Sequence, residues 1–410
     1  MANLRSLRPV LPILVAASLM LTLSMGLRQS LGIFVPNLTR DIGISVGDFT
    51  LAIAVQNLAW GFLQPVTGAL TVRLGFRMIM LIGALLYVGG LTALALAHGI
   101  VAVTIGAGVL IGASLACTAN AVAMSVAARA VPIGVRSAVL GIVSAAGSVG
   151  ALIAAPIGQV LNQAWGWRIG VAGFLLLSLL MIPATWIAGR VDRQAMPAGD
   201  GGAAAGMSTF AAASFALRNP SFVVMTLAYF VCGMQLVFLT THLPSYLDFC
   251  GMDPMLSAQA LGVIGGFNVL GSLFFGWAGG RWPKLVLLGM LYATRSLVLA
   301  WFFLQAPTPA NTLVFSAIMG FLWLGVSPLI TGAIVEMFGL RWQPMISGLA
   351  FVSHQFGSFL GAFGGGLVFD RLGSYDMAWR FGVSLGLTAG IVQIIFALWR
   401  PPARPTLATG

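Results

Sequence analysis

Long apolar runs, separated by short segments that carry the charges, recur along the whole of this 410-residue chain. Twelve runs stand out, at approximately 10 to 36, 48 to 71, 77 to 97, 100 to 129, 135 to 162, 168 to 189, 221 to 247, 256 to 280, 284 to 304, 310 to 337, 343 to 370 and 377 to 399. At the helical rise of about 1.5 Å per residue, each is long enough to cross a hydrocarbon layer about 30 Å thick. The pattern predicts an all-α membrane protein of twelve transmembrane helices. Its longest polar interruption, residues 190–220, contains the low-complexity stretch Pro197 to Gly206 and reads as a flexible linker. It divides the spans six and six, into an N-terminal half at 1–189 and a C-terminal half at 221–410.

The halves repeat each other. Val35-Pro36-Asn37-Leu38 at the end of span 1 matches Leu243-Pro244-Ser245-Tyr246 at the end of span 7, at an offset of 208. Gly68 to Arg77 matches Gly276 to Lys284 with one gap, and Leu86-Tyr87 matches Leu291-Tyr292. Gly147-Ser148 matches Gly357-Ser358 at an offset of 210, and Trp167-Arg168 with Gly170-Val171 matches Trp379-Arg380 with Gly382-Val383 at an offset of 212. An even number of spans per half makes this a parallel repeat about an axis along the membrane normal.

Composition excludes a water-soluble protein: 59% of residues are hydrophobic, 7% are charged, and the mean hydropathy is +1.00. The net charge of +11 does not signal a nucleic-acid partner, because the cations are dispersed singly among loops. They report orientation instead. With the N-terminus inside, the inner segments carry fourteen: Arg5, Arg8, Arg73, Arg77, Arg129, Arg136, Arg190, Arg193, Arg218, Arg281, Lys284, Arg341, Arg400 and Arg404. The outer segments carry four, Arg40, Arg168, Arg371 and Arg380, with Asp41, Asp48, Asp248, Asp253, Asp370 and Asp376 beside them. This asymmetry predicts both termini in the cytoplasm. The first run is too long for a cleaved signal peptide and should remain as a helix. Cys117, Cys232 and Cys250 offer neither a disulfide framework nor metal spacing. No nucleotide-binding loop, metal cluster or catalytic triad spacing is present, so neither an enzyme nor a cofactor is expected.

Ionisable groups inside the spans carry the functional signal, because a charge near the bilayer centre costs several kcal/mol on most scales, roughly 2.5 or more. Arg28 lies eight residues below Pro36, about 12 Å deep. Arg295 and His354 each lie eleven residues from the inner start of their spans, about 16 Å deep. His242, two residues before Pro244, sits nearer the outer mouth and is a gating candidate. No Asp or Glu occupies mid-depth in any span; Glu336 is at the inner end of span 10. A cationic interior whose guanidinium can pair bidentately with a carboxylate selects for a small organic anion. Among the other polar residues, Asn120 and Gln235 are taken as further substrate contacts. Gln56, Asn57, Asn268 and Ser327 read as helix-to-helix glue. Arg295 has two readings of equal weight, a supporting substrate contact or a structural arginine satisfied by carbonyls, Asn268 or Tyr292.

Over nearly its full length the chain resembles the major facilitator superfamily. The loop Gly68, Arg73, Gly75 and Arg77 is similar to that superfamily's signature between spans 2 and 3, with Val72 where an aspartate is usual. Gly26-Leu27-Arg28 through Phe34-Val35-Pro36, Thr241-His242-Leu243-Pro244 and Ser353-His354-Gln355 through Gly361 resemble the bacterial relatives of proton-linked monocarboxylate transporters, including the oxalate/formate antiporter group. That group's charged pair on span 8 would align near Asn268 and Ser272 and is missing. The glycines Gly141, Gly147 and Gly150 before Pro156 are similar to an antiporter motif, with Ala154 and Ala155 in place of glycine.

The resemblance implies a monomeric secondary transporter of the bacterial inner membrane working by alternating access. Spans 1, 4, 7 and 10 would line a cavity flanked by 2, 5, 8 and 11. Arg28 and His354 then become the main contacts to a monocarboxylate-like anion. Proton coupling would run through His354 or through the substrate's own carboxylate; uniport and exchange stay open. Export of an anionic or neutral compound is the alternative, and a membrane receptor or enzyme the more distant one.

Overall fold

The computed structural model describes residues 7–195 and 202–399, and the regular structure within them is entirely helical. Ten continuous helical stretches are long and apolar enough to cross a membrane. One of these, Val46–Ala95, is a double crossing: Gly75 breaks it with a φ of +81°, a conformation that glycine adopts without the cost a side chain would add. With the 30-residue helix Gln343–Leu372, this gives twelve crossings. In chain order these are α1 (Leu11–Gln29, prolonged by short turns to Ile42), α2 (46–74), α3 (76–95), α4 (Ile100–Ala130), α5 (Ile133–Trp165), α6 (Trp167–Arg193), α7 (Pro220–Phe249), α8 (Pro254–Ala278), α9 (Lys284–Phe303), α10 (Pro309–Phe338), α11 (Gln343–Leu372) and α12 (Asp376–Trp399). The twelve-helix expectation and its all-α class stand.

Helix starts follow local chemistry. Proline occupies the first turn of α1, α7, α10 and α11, where its missing N–H costs nothing. Ser45 with Asp48 and Thr308 with Asn311 close reciprocal capping boxes at α2 and α10. Interruptions are equally specific. In α4, Thr104–Leu110 is a π-helical segment, and the chain breaks again at Ala119, immediately before Asn120. In α10 the break falls at Leu324 and Gly325, and Asn268 of α8 accepts the Leu324 backbone N–H at 2.8 Å.

Within the first half, α1 lies against α5 so closely that a side-chain carbon on Gly150 would strike the Thr22 carbonyl. Within the second half, α7 and α11 approach in the same way through Gly233, Gly357 and Gly361. Two seams join the halves. Along α2 and α11, Gly68 faces the backbone of Pro344 and Met345, Gly348 faces Pro65, and Gly61 faces Gln355. Along α5 and α8, Gly141 faces Gly276 and Ser144 Oγ is 3.4 Å from Ser272 Oγ. Ser125 of α4 donates to Gln343 of α11 near the linker end of the bundle.

Part of the expected flexible linker, residues 196–201, lies outside the described residues, as do Arg5, Arg400, Arg404 and the termini that would carry the orientation argument. The described flanks are docked. Arg129 donates to the Gln194 carbonyl at 3.2 Å, Arg341 donates to the Ala205 carbonyl at 2.6 Å, and a short helix, Thr209–Arg218, leads into α7.

Candidate functional site

Arg28 projects from the last turn of α1 toward α2. Its Nε donates to Gln56 Oε1 at 2.8 Å, its Nη2 donates to Asn57 Oδ1 at 2.5 Å, and its guanidinium carbon stands 5.2 Å from the centre of the Trp60 ring. Gln56 is itself held, because its Nε2 donates to the Ala107 carbonyl at 2.5 Å. Ala107 lies in the π-helical segment of α4, where the widened turn re-aims backbone carbonyls. The arginine is therefore positioned by two neutral amides, and its positive charge is not cancelled by any carboxylate among the described residues. It remains partly exposed.

A polar chain runs from Arg28 across the seam between the halves. The Asn57 carbonyl accepts Gln355 Nε2 of α11 at 2.8 Å, and Gln355 Oε1 lies 3.4 Å from His354 Nδ1. The same nitrogen is 3.4 Å from Ser358 Oγ. The His354 ring packs 4.5 Å from Tyr229 and 5.4 Å from Phe351. Trp60 of α2 and Phe351 of α11 meet across the seam at 4.6 Å.

Beyond that aromatic layer lies a small cavity of about 30 Å³ between the halves. Trp60, Gln64 and Asn120 line it from the first half; Tyr229, Ser327, Thr331, Ser347 and Phe351 line it from the second. Asn120 reaches this wall because α4 breaks just before it. Arg28 and His354 do not line the cavity in this conformation. Each sits one aromatic ring behind it, Arg28 behind Trp60 and His354 behind Tyr229 and Phe351.

Arg295 and Gln235 form a separate cluster inside the second half. Arg295 is completely buried on α9; its Nε donates to Gln235 Oε1 at 3.0 Å and its Nη1 to Cys232 Sγ at 3.3 Å. Gln235 Nε2 donates to Ser296 Oγ and to the Gly382 carbonyl, each at 2.9 Å. Arg295 Nη2 and the Tyr292 hydroxyl have no hydrogen-bond partner among the described residues. The Arg295 guanidinium also stands 5.3 Å from the centre of the Tyr292 ring, one of the two neighbours expected for it, and Gln235 takes the place expected of Asn268. His242 is buried near the far end of α7, with Nε2 2.9 Å from the Ala362 carbonyl and its ring between Phe238 and Tyr375.

At the loop between α2 and α3, Gly68 gives the start of α11 room to approach, and Gly75 makes the turn. Arg77 stacks 4.9 Å from Trp186, while Arg73 is exposed. The carboxylate that Val72 cannot supply at this turn comes from Asp192, at the end of α6. Its oxygens accept the Phe76 and Arg77 backbone N–H groups at 2.9 Å each, capping α3. Reading loop acids by position alone missed Asp192. Nor did the sequence single out Gln64, Tyr229, Thr331 and Ser347 as cavity residues, since such side chains are common in membrane bundles.

Residues 17–362 match the family model of the Major Facilitator Superfamily. The chain belongs to the Major Facilitator Superfamily. Among its relatives, monocarboxylate transporter 13 of Bos taurus is 24% identical over 367 residues, covering 87% of this chain and 82% of the relative. Monocarboxylate transporter 11 of Homo sapiens is 27% identical over 394 residues, covering 91% and 79%. The solved structure of a proton:xylose symporter of the Major Facilitator Superfamily, bound to 6-bromo-6-deoxy-D-glucose, superposes with a TM-score of 0.73 at 14% identity and covers 97% of each chain. Like other members of the Major Facilitator Superfamily, this chain is a membrane-embedded, multi-pass transporter and not an enzyme.

Proposed function

We propose that this transporter carries a small organic anion of the monocarboxylate type by alternating access, with Arg28 as its principal contact. One observation supports this reading most: Arg28, deep in an apolar span, is oriented by the neutral acceptors Gln56 and Asn57 and keeps its charge for a ligand. A guanidinium in a water-poor site favours a carboxylate and disfavours cations. The relation to monocarboxylate transporters points the same way. Asn120, Gln64, Thr331 and Ser347 would hold the neutral part of the cargo in the cavity, and parting of the Trp60–Phe351 layer would bring Arg28 to its carboxylate.

His354, joined to Arg28 through Gln355 and Asn57, is the proposed proton carrier. The bacterial inner membrane, with both termini cytoplasmic and one chain as the working unit, completes the proposal. Proteoliposome uptake of a panel of labelled monocarboxylates, with and without an inward proton gradient, tests it. The expected result is uptake that a gradient increases in wild type and leaves unchanged in His354→Gln, while carboxylate exchange persists in that variant. Gradient-driven uptake that survives His354→Gln would assign the proton to the cargo instead. Absence of carboxylate uptake under every condition would overturn the substrate class.

A further inference from the structure

The repeat predicts that α5 with α6 and α11 with α12 should pack alike, and in the structure they do not. In the first half, the Phe34 and Phe174 rings, both buried, meet edge to face at 5.1 Å and fill the space between α1, α5 and α6. Gly158 makes room for Phe174 on α5. In the second half the position equivalent to Phe174 is Gly386 at the 212 offset, and the positions equivalent to Ala151, Ala154 and Ala155 are Gly361, Gly364 and Gly365 at the 210 offset. Gln235 and Ser296 occupy the space beside Gly386, His242 that beside Gly365 and the α7 backbone that beside Gly361, whereas Gly364 and, on α12, Gly382 face open space among the described residues. What remains is a groove of about 330 Å³, with α7 as its floor and α11 and α12 as its walls.

The groove runs from Phe230 to Phe238 along α7, about 12 Å at the helical rise. Apart from Gln235, already engaged by Ser296 and Gly382, its side chains are apolar, with glycine backbone between them. Its lips, Leu360, Met377 and Phe381, are exposed. At one end Arg380 is exposed between two lining residues, Trp379 and Phe381, and stacks 5.7 Å from the Trp379 ring. The nearby Asp376 carboxylate accepts Trp379 Nε1 at 3.3 Å. An apolar trench at membrane depth with a cation at its rim is complementary to a lipid chain with an anionic headgroup.

We infer that this groove, opened between α11 and α12 beside Gly364 and Gly382, seats one acyl chain of an anionic phospholipid, with Arg380 holding the headgroup. The test is electron spin resonance on the full chain in proteoliposomes, with chain-labelled phosphatidylglycerol or phosphatidylcholine as probe. Wild type should immobilise phosphatidylglycerol about fivefold more strongly than phosphatidylcholine, the selectivity of one interfacial cation. Arg380→Gln should equalise the two lipids. Gly364→Leu with Gly382→Leu should remove the immobilised population; a Cβ at either site meets no atom of the described residues within 4 Å, so the groove fills without strain.

Equal immobilisation of both lipids by wild type would overturn the inference. So would an immobilised population unchanged in a folded Leu variant, or a dimer whose second copy covers the groove. If the Leu variant does not fold, Arg380→Gln decides by itself, since its side chain is on the surface.

Discussion

Arg28→Gln should lower carboxylate uptake in proteoliposomes by about 100-fold, equivalent to about 2.7 kcal/mol, with the helical content and thermal unfolding of the protein little changed. The reason is the asymmetry of its environment. Gln56 and Asn57 are both amides, and an amide side chain at position 28 can still donate to one of them, so the helix contact survives while the charge is lost. Arg28→Lys keeps the charge and should still recover less than a tenth of wild-type uptake, about 1.4 kcal/mol short. A lysine ammonium has no planar fork with which to satisfy Gln56 and Asn57 and also face a carboxylate. Initial rates of labelled carboxylate uptake, normalised to reconstituted protein, check both. Wild-type rates in Arg28→Gln would remove the residue from the site.

A second large effect is expected from the helix seams, where sequence symmetry is misleading. Gly147 and Gly357 are equivalent in the repeat, yet a Cβ on Gly147 would meet only the Leu21 side chain, at 3.3 Å and beyond. On Gly357 it would strike the Phe230 carbonyl, which cannot rotate away. Gly357→Ala should therefore force α7 and α11 apart and destabilise the protein by about 1–3 kcal/mol, whereas Gly147→Ala should fall within about 0.5 kcal/mol of wild type. Thermal unfolding of the two variants in detergent, side by side, separates them. Equal midpoints would mean that the close approach of α7 to α11 is not maintained in the protein.

The fold was legible because lipid imposes length and apolarity on every crossing, and the polar interruption at 190–220 suggested a six-plus-six division with which the Val35-Pro36 and Trp167-Arg168 repeats agree. Arg28 was legible because a cation in such a span is costly. Its partners were less so: Gln56 and Asn57 read as interhelical glue, and the π-helical turn that anchors Gln56 leaves no periodic signal. Depth along a helix was readable, but azimuth was not. Arg295 and His354 have the same estimated depth, and only packing shows that Arg295 turns toward Gln235 while His354 turns toward Tyr229. Asn268 illustrates a further limit, since its acceptor role at the broken backbone of α10 depends on a break that hydropathy does not reveal. The groove beside α12 was latent in the sequence, at Gly364 where the first half has Ala154, but took meaning only when the two halves could be compared in three dimensions.

The claim underlying all of this is that the site discriminates by charge. Its most direct test is competition in proteoliposomes between a labelled monocarboxylate and two unlabelled compounds of matched shape, the same acid and its uncharged amide. The acid should compete at least 100-fold better than the amide in wild type, and Arg28→Gln should erase that preference. An amide that competes as well as the acid, or a preference for the acid that survives Arg28→Gln, would contradict it.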